Sequence, residues 1–176
     1  DCYICGNSSN QSITVKQNRS SQTYNISVCN CGFRYLNPRP SKEDIGEFYK
    51  SNTYHPHSKG VGFIYRIYKI SQKLTFQWKY SIIKRFTSNE IFHLDYGGGD
   101  GSFSCFLQNK KIESHTYDPH YDSKSFDTFK LNKYNVITLF HSLEHIYDLN
   151  SAFSDIDKYL ERNGILIIAV PNFNAP

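Results

Sequence analysis

The chain has 176 residues and carries 20 lysines and arginines against 16 aspartates and glutamates, a formal net charge of +4. This length can bury one hydrophobic core and a small additional module. The charge is too small to require a nucleic acid partner, although it permits one. No apolar run is long enough to span a bilayer and no secretory signal opens the sequence, so we expect a cytoplasmic protein.

Four of the five cysteines lie in the first thirty-one residues, as a Cys-x-x-Cys pair and a Cys-x-Cys pair. A glycine follows each pair, and β-rich segments at residues 13–15 and 24–26 lie between them. Four thiolates gathered in this way suit tetrahedral Zn²⁺. Two disulfides in a secreted domain are the alternative, which fits poorly with the cytosolic enzyme expected from the rest of the chain.

The cysteine pattern resembles the knuckles of zinc ribbons, although the second pair lacks the usual two-residue spacing. We therefore predict a zinc-ribbon module over residues 1–40. Its structural Zn²⁺ ligands would be Cys2, Cys5, Cys29 and Cys31.

Residues 41–90 form a predicted helical lid or linker. A short helix is expected at residues 42–49 and an aromatic-rich helix at residues 62–86. The longer helix can bury one face on a sheet while its basic residues face water, and binding to a membrane surface or an acidic polymer is the alternative. Those basic residues are Arg66, Lys69, Lys73, Lys79, Lys84 and Arg85.

A glycine-rich turn follows the apolar strand predicted at residues 91–94. The turn, residues 97–101, leads into a helix with Phe103, Phe106 and Leu107 at helical spacing, in which Cys105 is expected to be a small buried side chain. Such a turn offers backbone N–H groups and a helix N-terminus to a nucleotide-like ligand. The glycine spacing differs from the dinucleotide fingerprint, because the sixth position is Ser102.

Four further strands and one helix are predicted towards the carboxyl terminus. A second strand begins at residue 113 and ends at Asp118, where Pro119 stops it. The apolar run at residues 136–140 predicts a parallel strand buried on both faces, followed by a helix at 149–160 with Gly164 as its stop signal. Residues 165–170 predict another buried strand. The sixteen residues after Asp118 leave room for one short strand, at about 126–131.

The pattern Asp95-x-Gly97-x-Gly99-x-Gly101 resembles the first motif of class I S-adenosylmethionine (SAM) methyltransferases, and residues 134–172 resemble a later stretch of the same family. The resemblance implies an α/β, Rossmann-like, mostly parallel sheet within a SAM-binding core at 91–176. The family's sheet normally continues beyond its fifth strand, so we expect a sheet truncated at that point in this sequence. The turn would bind the methionine end of SAM and Asp118 its ribose. The implied cofactor contacts are Asp95, Tyr96, Gly97, Gly98, Gly99, Asp100, Gly101, Asp118, Pro119, Phe140 and His141.

Residues 33–54 resemble the passage that joins a zinc module to a methyltransferase domain in several bacterial families, including some sugar methyltransferases. This likeness would bring Tyr49 and Tyr54 over the cofactor or acceptor pocket, or pack them in a lid helix. It favours a small carbohydrate-related acceptor, such as a sugar or nucleotide sugar. RNA and a small metabolite are alternatives, and so is a non-catalytic zinc-ribbon module on a degenerate methyltransferase fold.

The candidate catalytic residues His141, Glu144 and His145 follow the fourth strand, where the carboxyl end of an open sheet borders its ligand crevice. We predict His145 as the base, with Glu144 orienting it or contacting the cofactor, while a structural role for His145 is the alternative. The same residues also match the H-x-x-E-H pattern of a zinc peptidase, which leaves the glycine turn unexplained.

Overall fold

The computed structural model describes residues 1–8, 11–16, 23–39, 63–87, 90–118 and 133–173. The chain divides into two compact units, Asp1–Ser58 and Lys59–Pro176. The helix predicted at residues 42–49, the strand at 126–131, Tyr49, Tyr54 and Pro119 lie outside the described residues. The three-part division of the chain stays a prediction.

The first unit contains a small antiparallel sheet of three strands. The strands are β1 (Gln11–Lys16), β2 (Thr23–Val28) and β3 (Arg34–Leu36), in the order β1-β2-β3. The first two strands include the segments predicted as β between the cysteine pairs. Cys2, Cys29 and Tyr35 form the buried cluster of this unit, with Phe33 packed against it.

The second unit contains a four-stranded parallel sheet, which confirms the predicted α/β class. Its strands are β4 (Phe92–Tyr96), β5 (Glu113–Tyr117), β6 (Tyr134–Phe140) and β7 (Leu160–Ala169), in the order β5-β4-β6-β7. The strand that follows β4 in the chain, β5, pairs with one side of β4, and the next strand, β6, pairs with the other side. The strand order therefore reverses between β4 and β6. Open α/β sheets bind ligands at such a point, beyond the carboxyl ends of the strands.

The predicted long helix is α1, Phe63–Phe86. Its carboxyl-terminal half packs Phe76, Tyr80 and Ile83 in the same cluster as Phe103 and Phe140, which confirms that one face of this half is buried. The expectation that all its basic residues face water is wrong for Lys79. Its ammonium lies over the rings of Phe103 and Phe140, 5.2 and 4.6 Å from their centroids.

Two shorter helices follow strands of the sheet. The first, α2 (Ser102–Gln108), buries Phe103 and Leu107 as predicted. Cys105, which we expected to be buried, is exposed because it lies on the opposite side of this short helix. The second, α3 (Leu149–Tyr159), begins at Asp148, whose side chain accepts a hydrogen bond from the Ser151 backbone N–H.

Two expectations are wrong, one about the end of α3 and one about the strand that follows it. Gly164 does not end α3, because the chain turns into an extended conformation at Leu160 and the left-handed residue is Asn163. The predicted strand at 165–170 is also less buried than its sequence indicates. Ile168 is 39% exposed, because β7 pairs with β6 at one edge of the described sheet. By contrast, β6 is buried along most of its length, as expected.

Candidate functional site

The four amino-terminal cysteines converge on one point. Their sulfur atoms all lie within 4.8 Å of one another. Cys2 Sγ is 3.7 Å from Cys31 Sγ, and Cys5 Sγ is 3.5 Å from Cys29 Sγ. Four sulfurs bonded to zinc at about 2.3 Å in a tetrahedron are about 3.8 Å apart. All four cysteines are free, so the geometry fits a tetrahedral metal site better than the disulfide alternative.

Each half of the cysteine cluster is a tight turn that ends in a glycine. Gly6 and Gly32 have positive φ values of 71° and 88°. Their N–H groups donate to the carbonyls of Cys2 and Cys29, at 2.9 Å in both turns. A third backbone N–H, that of Ile4, points at Cys2 Sγ at 3.5 Å. Because a residue with a side chain adopts positive φ at a cost, these glycines permit both turns to bring their thiols together.

The glycine turn of the second unit joins β4 to α2. Gly97, Gly99 and Gly101 all have positive φ, at 80°, 58° and 73°. The Gly97 N–H donates to the Tyr117 carbonyl at 2.6 Å, which attaches the turn to the end of β5. Helix α2 begins at Gly101 without a side-chain cap. The turn therefore lies at the carboxyl edge of the sheet, next to the point where the strand order reverses.

The glycines of this turn face different surroundings. A Cβ on Gly97 would overlap Ser142 Cβ, and a Cβ on Gly98 would lie 2.5 Å from Asp95 Oδ2 and 2.8 Å from Thr116 Cγ2. These two glycines are thus required by packing within the protein. Among the residues that the structure describes, a Cβ on Gly99 would meet nothing within 4 Å. The backbone at Gly99 therefore borders open space, where a ligand can approach it.

The carboxylate of Asp118 lies beside this exposed backbone. Its Oδ2 accepts a hydrogen bond from the Gly99 N–H at 2.8 Å, and Asp118 directly follows β5, as predicted. Asp100 has a different contact, since its Oδ1 accepts from the Ser102 N–H at 3.0 Å at the start of α2. Asp118 therefore has the position expected of a residue that binds the sugar of a nucleoside next to the turn.

Asp95 lies beneath the turn and is almost fully buried. Its Oδ1 accepts a hydrogen bond from Thr138 Oγ1 at 2.9 Å. Burial raises the pKa of its carboxyl to about 6, although the positive charge of Lys79 and the Thr138 hydrogen bond act in the opposite direction. Burial likewise lowers the pKa of the Lys79 ammonium. A carboxylate buried in this way costs stability unless its charge is paired, and groups with pKa values shifted in this way are common in functional sites.

Two aromatic residues predicted to contact the cofactor have their side chains in the core. Tyr96 packs against Tyr117 with 4.9 Å between ring centroids, and burial raises the pKa of its hydroxyl. Phe140 is 8% exposed and packs against Phe103. Any contact of Tyr96 with a ligand would therefore come from its backbone, whose carbonyl already accepts a hydrogen bond from Ser142 Oγ at 2.9 Å.

The three candidate catalytic residues lie just beyond the end of β6. His141 has a positive φ of 57°, and its N–H donates to the Ala169 carbonyl at 2.8 Å. Residues Leu143–His145 form a single 3₁₀ turn, in which the His145 N–H donates to the Ser142 carbonyl at 3.0 Å. Glu144 Oε1 is 3.7 Å from His141 Nδ1. Both histidines are exposed and can reach a ligand at this edge.

This geometry argues against the zinc peptidase hypothesis. His141 follows a strand and His145 ends a 3₁₀ turn, whereas the peptidase pattern requires both on one face of a long helix. Within the described ranges, one group of three or more Cys, His, Asp or Glu residues has its ligand atoms close enough together to hold a metal ion, namely the four cysteines. His141, Glu144 and His145 do not form a second cluster.

Sequence comparison agrees with the α/β fold. The family model described as a methyltransferase domain matches residues 64–175, which is more than half of the chain, so the protein belongs to the methyltransferase domain family. The matched range includes the whole parallel sheet and excludes the cysteine cluster. No curated protein matches the chain.

Four functional candidates at the site were not predicted from the sequence. Thr138 donates a hydrogen bond to Asp95, and Ser142 lies against Gly97 of the turn. His93 reaches Asp95 only through Thr138, and Lys79 acts on Asp95 through its charge. A signal for two of them was present, because His93 and Thr138 are polar residues inside otherwise apolar strands. Only the register of β4 and β6 shows that Thr138 is level with Asp95, and that His93 is level with Val136, two residues before Thr138.

Proposed function

We propose that the chain is a SAM-dependent methyltransferase whose acceptor is a small, carbohydrate-related molecule. One observation carries the cofactor proposal: the bare backbone of Gly99 borders open space while its N–H is held by the Asp118 carboxylate. This arrangement suits a nucleoside that lies on the turn with its sugar next to Asp118. Membership of the methyltransferase domain family supports the same cofactor.

The residues would divide the binding of SAM between two ends of the molecule. Asp118 would accept hydrogen bonds from ribose hydroxyls, and the turn with Asp95 beneath it would bind the amino acid end. When bound, SAM supplies an electrophilic methyl group on its sulfonium. The protein then contributes by holding the acceptor in line with that group, because alignment alone can supply a large part of the rate.

His145 would remove the proton of the acceptor hydroxyl as general base. It lies in the 3₁₀ turn at the carboxyl edge of β6, near the crevice. Glu144 Oε1 lies 3.7 Å from His141 Nδ1, so its carboxylate would orient His141 and shape the acceptor side of the site. The carbohydrate class of the acceptor is inferred from the likeness of residues 33–54 to sugar methyltransferases.

The Zn²⁺ held by the four cysteines would stabilise the amino-terminal module.

Calorimetric titration with SAM tests the cofactor proposal. We expect the wild-type chain to bind, and Asp118→Ala to weaken binding by about tenfold or more. Asp118→Asn keeps an oxygen that can accept from the Gly99 N–H but removes the negative charge. It therefore distinguishes weaker binding caused by a displaced turn from weaker binding caused by the missing charge. Asp157→Ala, an exposed acid on α3, is the matched control and should bind as the wild type does. No binding by the wild type at about 1 mM SAM would favour a non-catalytic module.

Turnover assays test the base and the acceptor class. Formation of S-adenosylhomocysteine would be followed with nucleotide sugars, short RNAs and small metabolites as separate acceptors. His145→Ala should reduce turnover by about 100-fold or more and leave SAM affinity nearly unchanged. Asp157→Ala, the exposed acid on α3, is again the control and should keep the turnover of the wild type. Equal loss of turnover and SAM affinity in His145→Ala would indicate a structural role, and transfer to RNA alone would reject the carbohydrate class.

A further inference from the structure

Asp95 is one end of a buried chain of hydrogen bonds that crosses three strands of the sheet. Ser114 on β5 contacts His93 Nδ1 on β4, with 2.8 Å between Oγ and the ring nitrogen. His93 Nε2 is 2.9 Å from Thr138 Oγ1 on β6, and Thr138 Oγ1 is 2.9 Å from Asp95 Oδ1. We call these four residues the Asp95 chain. All of them are buried, and His93, Ser114 and Thr138 have no exposed surface.

The direction of each hydrogen bond follows from the number of protons available. The Thr138 hydroxyl donates its single proton to the Asp95 carboxylate, so it can only accept from His93 Nε2. His93 is neutral, because burial and the positive charge of Lys79 lower its pKa to about 3. A neutral imidazole with a proton on Nε2 has none on Nδ1, which therefore accepts from the Ser114 hydroxyl. Every donor in the chain thus points towards Asp95.

The other oxygen of Asp95 lies under the glycine turn. Its Oδ2 is 2.5 Å from the position that a Cβ on Gly98 would take. One carboxylate oxygen is therefore held by the chain, while the other approaches the backbone that would receive SAM. The charged groups that act on Asp95 are Lys79 from α1 and Asp118 at the end of β5, and His115 of β5 acts on His93.

We propose that His93 and Thr138 are positioning residues that keep the Asp95 carboxylate ionised and oriented beneath the glycine turn for binding the ammonium end of SAM. The inference rests on the proposed SAM dependence. It assigns a function to two polar residues in core strands that packing alone does not require. A hydrogen bond to a charged group favours the charged form, so the chain opposes the effect of burial on Asp95.

The test compares Thr138→Val, which keeps the shape and removes the hydroxyl, with Ser114→Ala at the far end of the chain. At pH 7 we expect Thr138→Val to raise the dissociation constant for SAM by about 10- to 100-fold. The pH at which affinity falls to half should also move upwards, because the carboxylate loses a donor. Thr138→Ser should stay within about threefold of the wild type, and Ser114→Ala should lose less affinity than Thr138→Val, because it removes only the far end of the chain.

Three results would overturn the proposal. Unchanged affinity and pH profile in Thr138→Val would show that the hydroxyl does not act on Asp95. Equal losses in Ser114→Ala and Thr138→Val would indicate general damage to the core, and so would failure of Thr138→Ser to restore binding. Thermal unfolding of each variant shows whether a loss of affinity accompanies a loss of folding.

A cofactor-free measurement separates this proposal from the proposed function. Nitrogen NMR of the wild type should find the His93 proton on Nε2, and carbon NMR of the Asp95 carboxyl should show a higher pKa in Thr138→Val than in the wild type. A proton on Nδ1 would overturn the chain as described, whether or not SAM binds and whether or not Thr138→Val folds. If the spectra are as expected but the protein does not bind SAM, the hydrogen bonds are as described. The proposed function and the role of the Asp95 chain in binding SAM would then both be rejected.

Discussion

The cysteine cluster and the parallel sheet are stabilised in different ways. The described part of the first unit buries little beyond Cys2, Cys29 and Tyr35, whereas the sheet buries two hydrophobic clusters, one of which includes Leu94, Ile137 and Leu139. A unit with so small a core would gain much of its stability from a metal bound by the four cysteines. In the larger unit, stability comes from apolar burial, so a buried carboxylate such as Asp95 lowers the folding stability. The proposed role of Asp95 in binding SAM accounts for its presence there.

Metal removal should produce the largest difference between the two units. Zinc bound to cysteine-rich sites contributes about 10–16 kcal/mol to folding in small modules. We expect a strong chelator, or Cys29→Ser, to unfold the described residues of the first unit and leave the thermal transition of the sheet in place. Metal analysis should find one zinc per chain. Cys105→Ser, an exposed cysteine outside the cluster, is the control and should retain zinc.

Substitution of single glycines in the turn should separate packing from binding. Gly97→Ala would force a Cβ onto Ser142 at a φ of 80°, so we expect the sheet to lose about 3 kcal/mol or more of stability. Gly99→Ala has open space around it and should lose only about 1–2 kcal/mol from its positive φ, while weakening SAM binding. Denaturant unfolding and calorimetry measure both effects. Equal destabilisation by the two substitutions would show that the turn is not packed as described.

Neutralising Asp95 should change stability in a way that depends on pH. Because the folded-state pKa of about 6 lies above the ordinary value of 3.8, the folded state binds the proton more tightly, and stability is lost as pH rises through about 6. Asp95→Asn removes this loss, so it should stabilise the chain at pH 8 by up to about 3 kcal/mol and have little effect at pH 4. Denaturant unfolding at the two pH values provides the measurement. A variant that is less stable than the wild type at pH 8 would contradict it, and SAM affinity should fall in either case.

The sequence predicts most elements of the larger unit, because their patterns are local. The apolar run of β6, the glycine turn and Asp118 at the end of β5 all appear as expected. Errors arose where the environment depends on distant residues. The exposure of Cys105 and Ile168 follows from which side of α2 and which edge of the sheet they occupy, and Lys79 is drawn over two rings that come from other elements.

The sequence alone determined the chemical groups available to this protein. They are four thiols, a turn of glycines and an acid at the end of each of two strands, Asp95 and Asp118. Residue type and spacing are sufficient for these features, because they are set by bonds within a few residues. The tertiary structure decided which glycine faces open space and that His93, Thr138 and Ser114 form a chain to Asp95. These relations depend on the register between parallel strands, which local patterns do not specify.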